Sequence, residues 1–98
     1  MKIVAVTACP TGIAHTYMAA EQLQKAAKKL GHRIKVETQG AMGIENELSQ
    51  GDVDGADVAI LASDVVLEKK ERFARINTIE ISVQEAIKNP EGVISKAV

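Results

Sequence analysis

Aromatic residues are nearly missing from this chain of 98 residues: it has no tryptophan, one tyrosine (Tyr17) and one phenylalanine (Phe73). Its core must therefore be aliphatic, and the stacking platforms of single-strand nucleic-acid binders are absent. Excess charge of one sign is lacking too. The 12 Lys and Arg against 13 Asp and Glu give a net charge of −1, so there is no basic footprint for DNA or RNA. No run approaches the ~20 apolar residues of a membrane span, and the apolar start, residues 1–6, is too short for a secretion signal. A cytoplasmic chain without direct membrane insertion is expected. Cysteine occurs once, at position 9. That excludes an internal disulfide and a C-x-x-C redox pair, and with two distant histidines it builds no metal-ligand cluster. The glycines match neither G-x-G-x-x-G nor a Walker A loop. Nothing in the sequence calls for a cofactor or a metal.

Two continuous apolar runs are present, KIVAVTA (2–8) and DVAILA (57–62). Such runs fit strands buried on both faces of a parallel sheet. RIKVET (33–38) and TIEIS (78–82) alternate instead, as strands with one wet face or edge strands do. Between the first two strands, apolar residues recur every three or four positions from Ile13 to Leu30, with Glu21 and Lys25 spaced as a favourable i,i+4 pair. Gly31 then suits the helix end. Short helices are expected at 44–50 and 65–74, and GAMG (40–43) reads as a turn. SVQE (82–85) is a capping box opening another helix, and Pro90 suits the first turn of a last one. This β-α alternation predicts a single domain, 1–98, of three-layer α/β/α type. Its sheet is expected to be four-stranded and parallel, with the apolar strands central and the order 2-1-3-4. The winding then reverses between strands one and three, and the crevice at their carboxyl ends is where such sheets bind ligands.

Cys9 lies just past strand one at that point, and Ser63 and Asp64 just past strand three. Residues Pro10, Thr11, Gly12, Ile13, Ala14, His15 and Thr16 carry the chain into the helix. Free N–H groups at a helix start favour an anion, and the same field favours thiolate over thiol. Gly12 lets backbone approach an anion closely, while Thr11 and Thr16 offer hydroxyl donors or plain N-caps. His15 either donates to a phosphoryl group or faces solvent, and His32 reads as surface. Asp64 would repel a phosphate and reads as a cap for the following helix. A thiolate encircled by amides can take a phosphoryl group onto sulfur. The spacing Cys9, five residues, His15, Thr16 equals that of small thiol phosphatases, but their arginine is missing, and its bidentate fork cannot be copied by histidine. The loop therefore suits a phosphoryl carrier better than a phosphatase. A degenerate thiol phosphatase or arsenate-reductase-like enzyme, and a non-catalytic anion-binding module, are the alternatives.

The stretch KIVAVTACPTGIAHTYMAAE resembles the opening of the fructose-type IIB components of the bacterial phosphoenolpyruvate-dependent sugar phosphotransferase system. IKVETQGAMG, ADVAILASD and ERF (71–73) are similar to later parts of the same family. The resemblance implies that Cys9 accepts a phosphoryl group from a phosphohistidine of the IIA component. It then passes the group to a sugar, fructose or a related hexose, bound by the membrane component IIC. It implies a place at the inner face of the membrane with IIC. Ile13, Met42 and Val66 are the candidate contacts of those partners.

Overall fold

In the computed structural model, residues 1–9, 13–40 and 43–98 are described, with the backbone alone for residue 13. The two apolar runs form the middle of the sheet. β1 (Lys2–Ala8) is buried from Ile3 onward, as is β4 (Val58–Ser63) up to its last residue. They pair in parallel, Ile3 opposite Val58 through Ala8 opposite Ser63. β2 (Arg33–Gly40) runs parallel on the other side of β1, and β5 (Thr78–Ile81) parallel beside β4. A short strand, β3 (Gly43–Glu45), adds to β2 in the antiparallel sense.

The sheet thus has five strands in the order β3-β2-β1-β4-β5. The expected four-stranded, all-parallel sheet is corrected on both number and order. The reason is local: Gly43 (φ 85°) and Asn46 (φ 53°) take left-handed backbone on either side of Ile44 and Glu45. They flank a strand that runs back along β2 where a helix was expected, and the ends of the expected turn, Gly40 and Gly43, lie opposite each other. β2 is consequently an inner strand, and four of its residues, Val36 to Gln39, are buried.

Helices cover both faces. α1 (Ile13–Lys29) packs on the face of Ile3 and Ala5 through Ala19, Leu23, Ala26 and Ala27, whose small side chains allow a close approach. Its end is a Schellman turn: Gly31 at φ 82° lets the His32 N–H reach the Ala27 carbonyl (2.8 Å) and its own N–H reach Lys28 (3.1 Å). The Glu21–Lys25 pair forms at 3.1 Å. α3 (Val83–Lys88) and α4 (Pro90–Ala97) share this face through Val83, Ala86, Val93 and Ile94. Ser82 caps α3 by accepting from the Glu85 N–H (3.1 Å), and Pro90 opens α4.

The opposite face, built on Val4, Val6 and Leu61, is covered by less regular chain: α2 (Gln50–Asp54), through Val53, and a 3-10 turn, Lys70–Phe73. The helix expected over 65–74 is reduced to that turn, and the one expected over 44–50 is replaced by β3 and the later α2. Among the described residues no helix is long and apolar enough to cross a membrane.

Candidate functional site at the carboxyl edge of the sheet

β1 delivers Cys9 to the carboxyl edge of the sheet, half-buried against the α1 face. The ladder with β4 continues one step past the strands, where the Asp64 N–H donates to the Ala8 carbonyl (3.3 Å). Asp64 therefore stands beside Cys9. Its carboxylate Oδ1 accepts from the Val83 N–H (3.4 Å) at the start of α3, not from the segment that follows it in sequence. From Cys9 the chain crosses to α1 on one face, and from Ser63 it turns onto the other. The reversal expected between the two apolar strands is present, and Cys9 sits at it.

The entry to α1 is fixed by threonines. Thr7 Oγ1 donates to the Thr16 carbonyl (3.0 Å), which ties the end of β1 to the first turns of the helix. Thr16 is itself 2% exposed, while Ala14 and His15 face solvent. Gly40, at the end of β2, comes close to Thr16: a Cβ there would stand 4.0 Å from Thr16 Oγ1. Thr38 lies opposite Thr7 in the β1–β2 register, and its hydroxyl is buried without a hydrogen-bond partner. Tyr17 donates its hydroxyl to Glu45 Oε1, so the same helical turn also holds β3. Pro10, Thr11, Gly12 and Met42 lie outside the described residues, as does the side chain of Ile13. Among the described residues no cluster of His, Cys, Asp and Glu could hold a metal.

A thiol at the winding reversal, four positions before a 17-residue helix begins, is an arrangement that can support nucleophilic transfer of an anionic group. A family model for the lactose/cellobiose-specific IIB subunit of the PTS system matches residues 4–96. The chain belongs to this family. It is 50% identical over 95 residues to the PTS system fructose-like EIIB component 2 of Escherichia coli K12, covering 97% of this chain and 90% of that one. A domain of the fructose-specific IIABC component of the PTS system from Borrelia burgdorferi superposes with a TM-score of 0.93 at 47% identity, over 97% of this chain and 90% of the other. The fructose-like PTS system EIIBC component of E. coli K12 is 48% identical over 98 residues; this chain spans 20% of its length. The IIB chain is accordingly a phosphotransferase component of a sugar phosphotransferase system.

Sequence reading missed a second group of residues in this IIB chain. Glu37 is fully buried on the face opposite Cys9 and accepts from Arg72 Nη1 and Nη2 (2.7 and 3.0 Å), from the Leu48 N–H (2.8 Å) and from Gln39 Nε2 (2.7 Å). Burial pushes the Glu37 carboxyl up, but the bonds from Arg72, Gln39 and Leu48 together outweigh it and hold it below its ordinary value. The guanidinium of Arg72 is raised in turn, chiefly by its bonds to Glu37. The available signal was the ERF string containing Arg72, which had entered only through likeness to the family.

Proposed function

We propose that Cys9 is the phosphoryl acceptor of this IIB chain. Its thiolate attacks in line at the phosphorus of a phosphohistidine on IIA. The S–P bond forms as the N–P bond breaks, and the histidine nitrogen leaves with the electron pair. In the second step a sugar hydroxyl held by IIC attacks the same phosphorus, the O–P bond forms, and the thiolate departs. The hydroxyl proton goes to a base that IIC supplies. The observation carrying this reading is the place of Cys9 at the winding reversal, four positions before a helix start whose N–H groups can stabilise the equatorial oxygens. The residues proposed to hold the phosphoryl group are Pro10, Thr11, Gly12, Ile13, Ala14, His15 and Thr16, and residues 1–98 are proposed to act as one domain.

The relative named EIIBC, which carries B and C components on one chain, supports IIC as the acceptor partner and a place at the inner face of the membrane. The relatives named fructose-like favour fructose or a related hexose. IIA as donor follows from the family pattern.

Intact-mass spectrometry after incubation with phosphorylated IIA tests the assignment. The wild type gains one phosphoryl group and loses it to sugar when IIC is added. Cys9→Ser, close in size but far less nucleophilic, gains none while keeping its fold. A serine variant phosphorylated at the wild-type rate would overturn the assignment. Loss of the group to water at the rate of transfer would favour a thiol phosphatase, and no gain in the wild type an anion-binding module.

A further inference from the structure

Side chains alternate between the two faces of a sheet. Ile3 and Ala5 of β1, and Val58, Ile60 and Ala62 of β4, lie on the face covered by α1 and α3. Continuing both strands by the same step of two brings Cys9 and Asp64 to that face. Both arrivals are seen. Cys9 packs against the cluster that contains Val83, and the Asp64 carboxylate accepts from the Val83 N–H (3.4 Å). The two residues are also neighbours across the ladder. Ala8 stands opposite Ser63, and the Asp64 N–H reaches the Ala8 carbonyl (3.3 Å), so the next pair is Cys9 and Asp64. Adjacent strands lie about 4.8 Å apart, which sets a carboxylate next to the sulfur. On the other side of β1, Ala8 stands opposite Gln39, and the next residue of β2 is Gly40, which has no side chain. Asp64 is exposed, and none of the ion pairs among the described residues includes it.

We propose that the Asp64 carboxylate controls how tightly the phosphoryl group is held: it repels the group while Cys9 carries it, and so favours departure to the acceptor. This rests on the reading of Cys9 as the phosphoryl acceptor. A phosphoryl group carries close to two negative charges near neutral pH. The start of α1 attracts such a group, and attraction that is equal in the resting and transition states holds the group without speeding its transfer. A fixed negative charge across the ladder offsets that hold. Its repulsion is largest while the group sits on sulfur and is relieved as the group leaves with the acceptor. The transfers are those described above, with S–P formed as N–P breaks and S–P broken as O–P forms. Asp64 takes no proton and forms no bond in either; it acts through its charge alone.

The test compares three variants. Asp64→Asn keeps the shape and an oxygen to accept from Val83 but removes the charge. Asp64→Glu keeps the charge, and Asp64→Ala removes both. Each chain is equilibrated with phosphorylated IIA, and the phosphorylated fraction is read by intact-mass spectrometry; discharge to sugar is then timed after IIC is added. At low salt, Asp64→Asn and Asp64→Ala should both shift the equilibrium toward the phosphorylated IIB chain by roughly five- to ten-fold, the size expected for charges of one and two about 6 Å apart in water. Their discharge to sugar should slow, while Asp64→Glu stays near the wild type. The gap between Asp64→Asn and the wild type should narrow as salt is raised, which loss of a bond at the start of α3 would not produce. An Asp64→Asn equilibrium equal to that of the wild type, or a shift that salt leaves unchanged, would overturn the proposal and leave the acceptor reading intact. A wild type that takes no phosphoryl group from IIA would overturn that reading and this proposal with it.

Discussion

Glu37 is a carboxylate with no accessible surface, set in the middle of a strand. Such a group persists only where its charge is met, and here every contact does so: a two-pronged guanidinium, a backbone N–H and a side-chain amide. Arg72 gives two further hydrogen bonds to the Leu48 and Lys69 carbonyls, and its guanidinium carbon lies 5.0 Å from the centre of the Phe73 ring. Removing it would leave an uncompensated charge inside. Arg72→Met is expected to lower the free energy of unfolding by about 3–5 kcal/mol, measured by chemical denaturation, whereas Glu37→Gln, which keeps the shape and an acceptor oxygen for two of the four hydrogen bonds and leaves no buried carboxylate, should cost less. Equal losses in the two would argue that packing, not charge, sets the value. This pair was illegible in the sequence for a physical reason. Alternation along RIKVET gives a polar residue an outward place, and only a partner 35 positions away turns it inward. The place of Cys9 was legible because it is set locally: one thiol at the end of an apolar run, with a helix starting at Ile13.

At the scale of elements, what was read correctly had a period to read. β1 and β4 are apolar throughout, and α1 carries its repeat over nearly five turns. β3 has three residues and no period. The segment 65–74 looked helical by composition, but Lys69 takes left-handed backbone (φ 57°), and the bonds that hold it come from Gln39 and Glu37 instead of its own ladder. α2 shows the opposite case, five residues held by their start. Ser49 Oγ accepts from the Asp52 N–H (3.0 Å), and the Asp52 carboxylate accepts from the Ser49 N–H (2.9 Å) and from Lys35 Nζ (2.9 Å). The Ser49 N–H first, then Lys35 and the Ser49 hydroxyl, hold the Asp52 carboxyl down at about 2, from an ordinary 3.8. Because the folded value is the lower one, the stabilisation is present above the unfolded value and is lost as pH falls through the folded one. Glu37 is shifted in the same direction. Thermal melts should therefore show stability level above about pH 5 and falling between about pH 4 and pH 2, with a shallower fall in Asp52→Asn. An identical slope in that variant would place the acid-sensitive groups elsewhere.

The whole molecule has two unlike ends. At the amino edge the strands begin among polar groups, with the Lys2 N–H donating to Asp57 (2.8 Å) and Arg33 and Gly31 close by. At the carboxyl edge stand Cys9, His15, Asp64 and the exposed apolar residues Tyr17, Met18, Val65 and Val66. A specific protein interface of standard size takes about 800 Å² from each partner and a transient one less; about 800 Å² is roughly 15% of the 5417 Å² surface of this chain. On the proposed role of Cys9, donor and acceptor both need the same sulfur, so they would take turns, and the phosphoryl group would have to outlast the exchange of partners. NMR titration with IIA should accordingly shift the amides of Cys9, His15, Tyr17, Met18, Val65 and Val66 and leave Met1, Gly31 and Asp57 unmoved. Adding IIC in detergent should release IIA from that edge. Shifts centred on the amino edge, or a stable complex of all three components, would mean that transfer does not proceed by alternation at one surface.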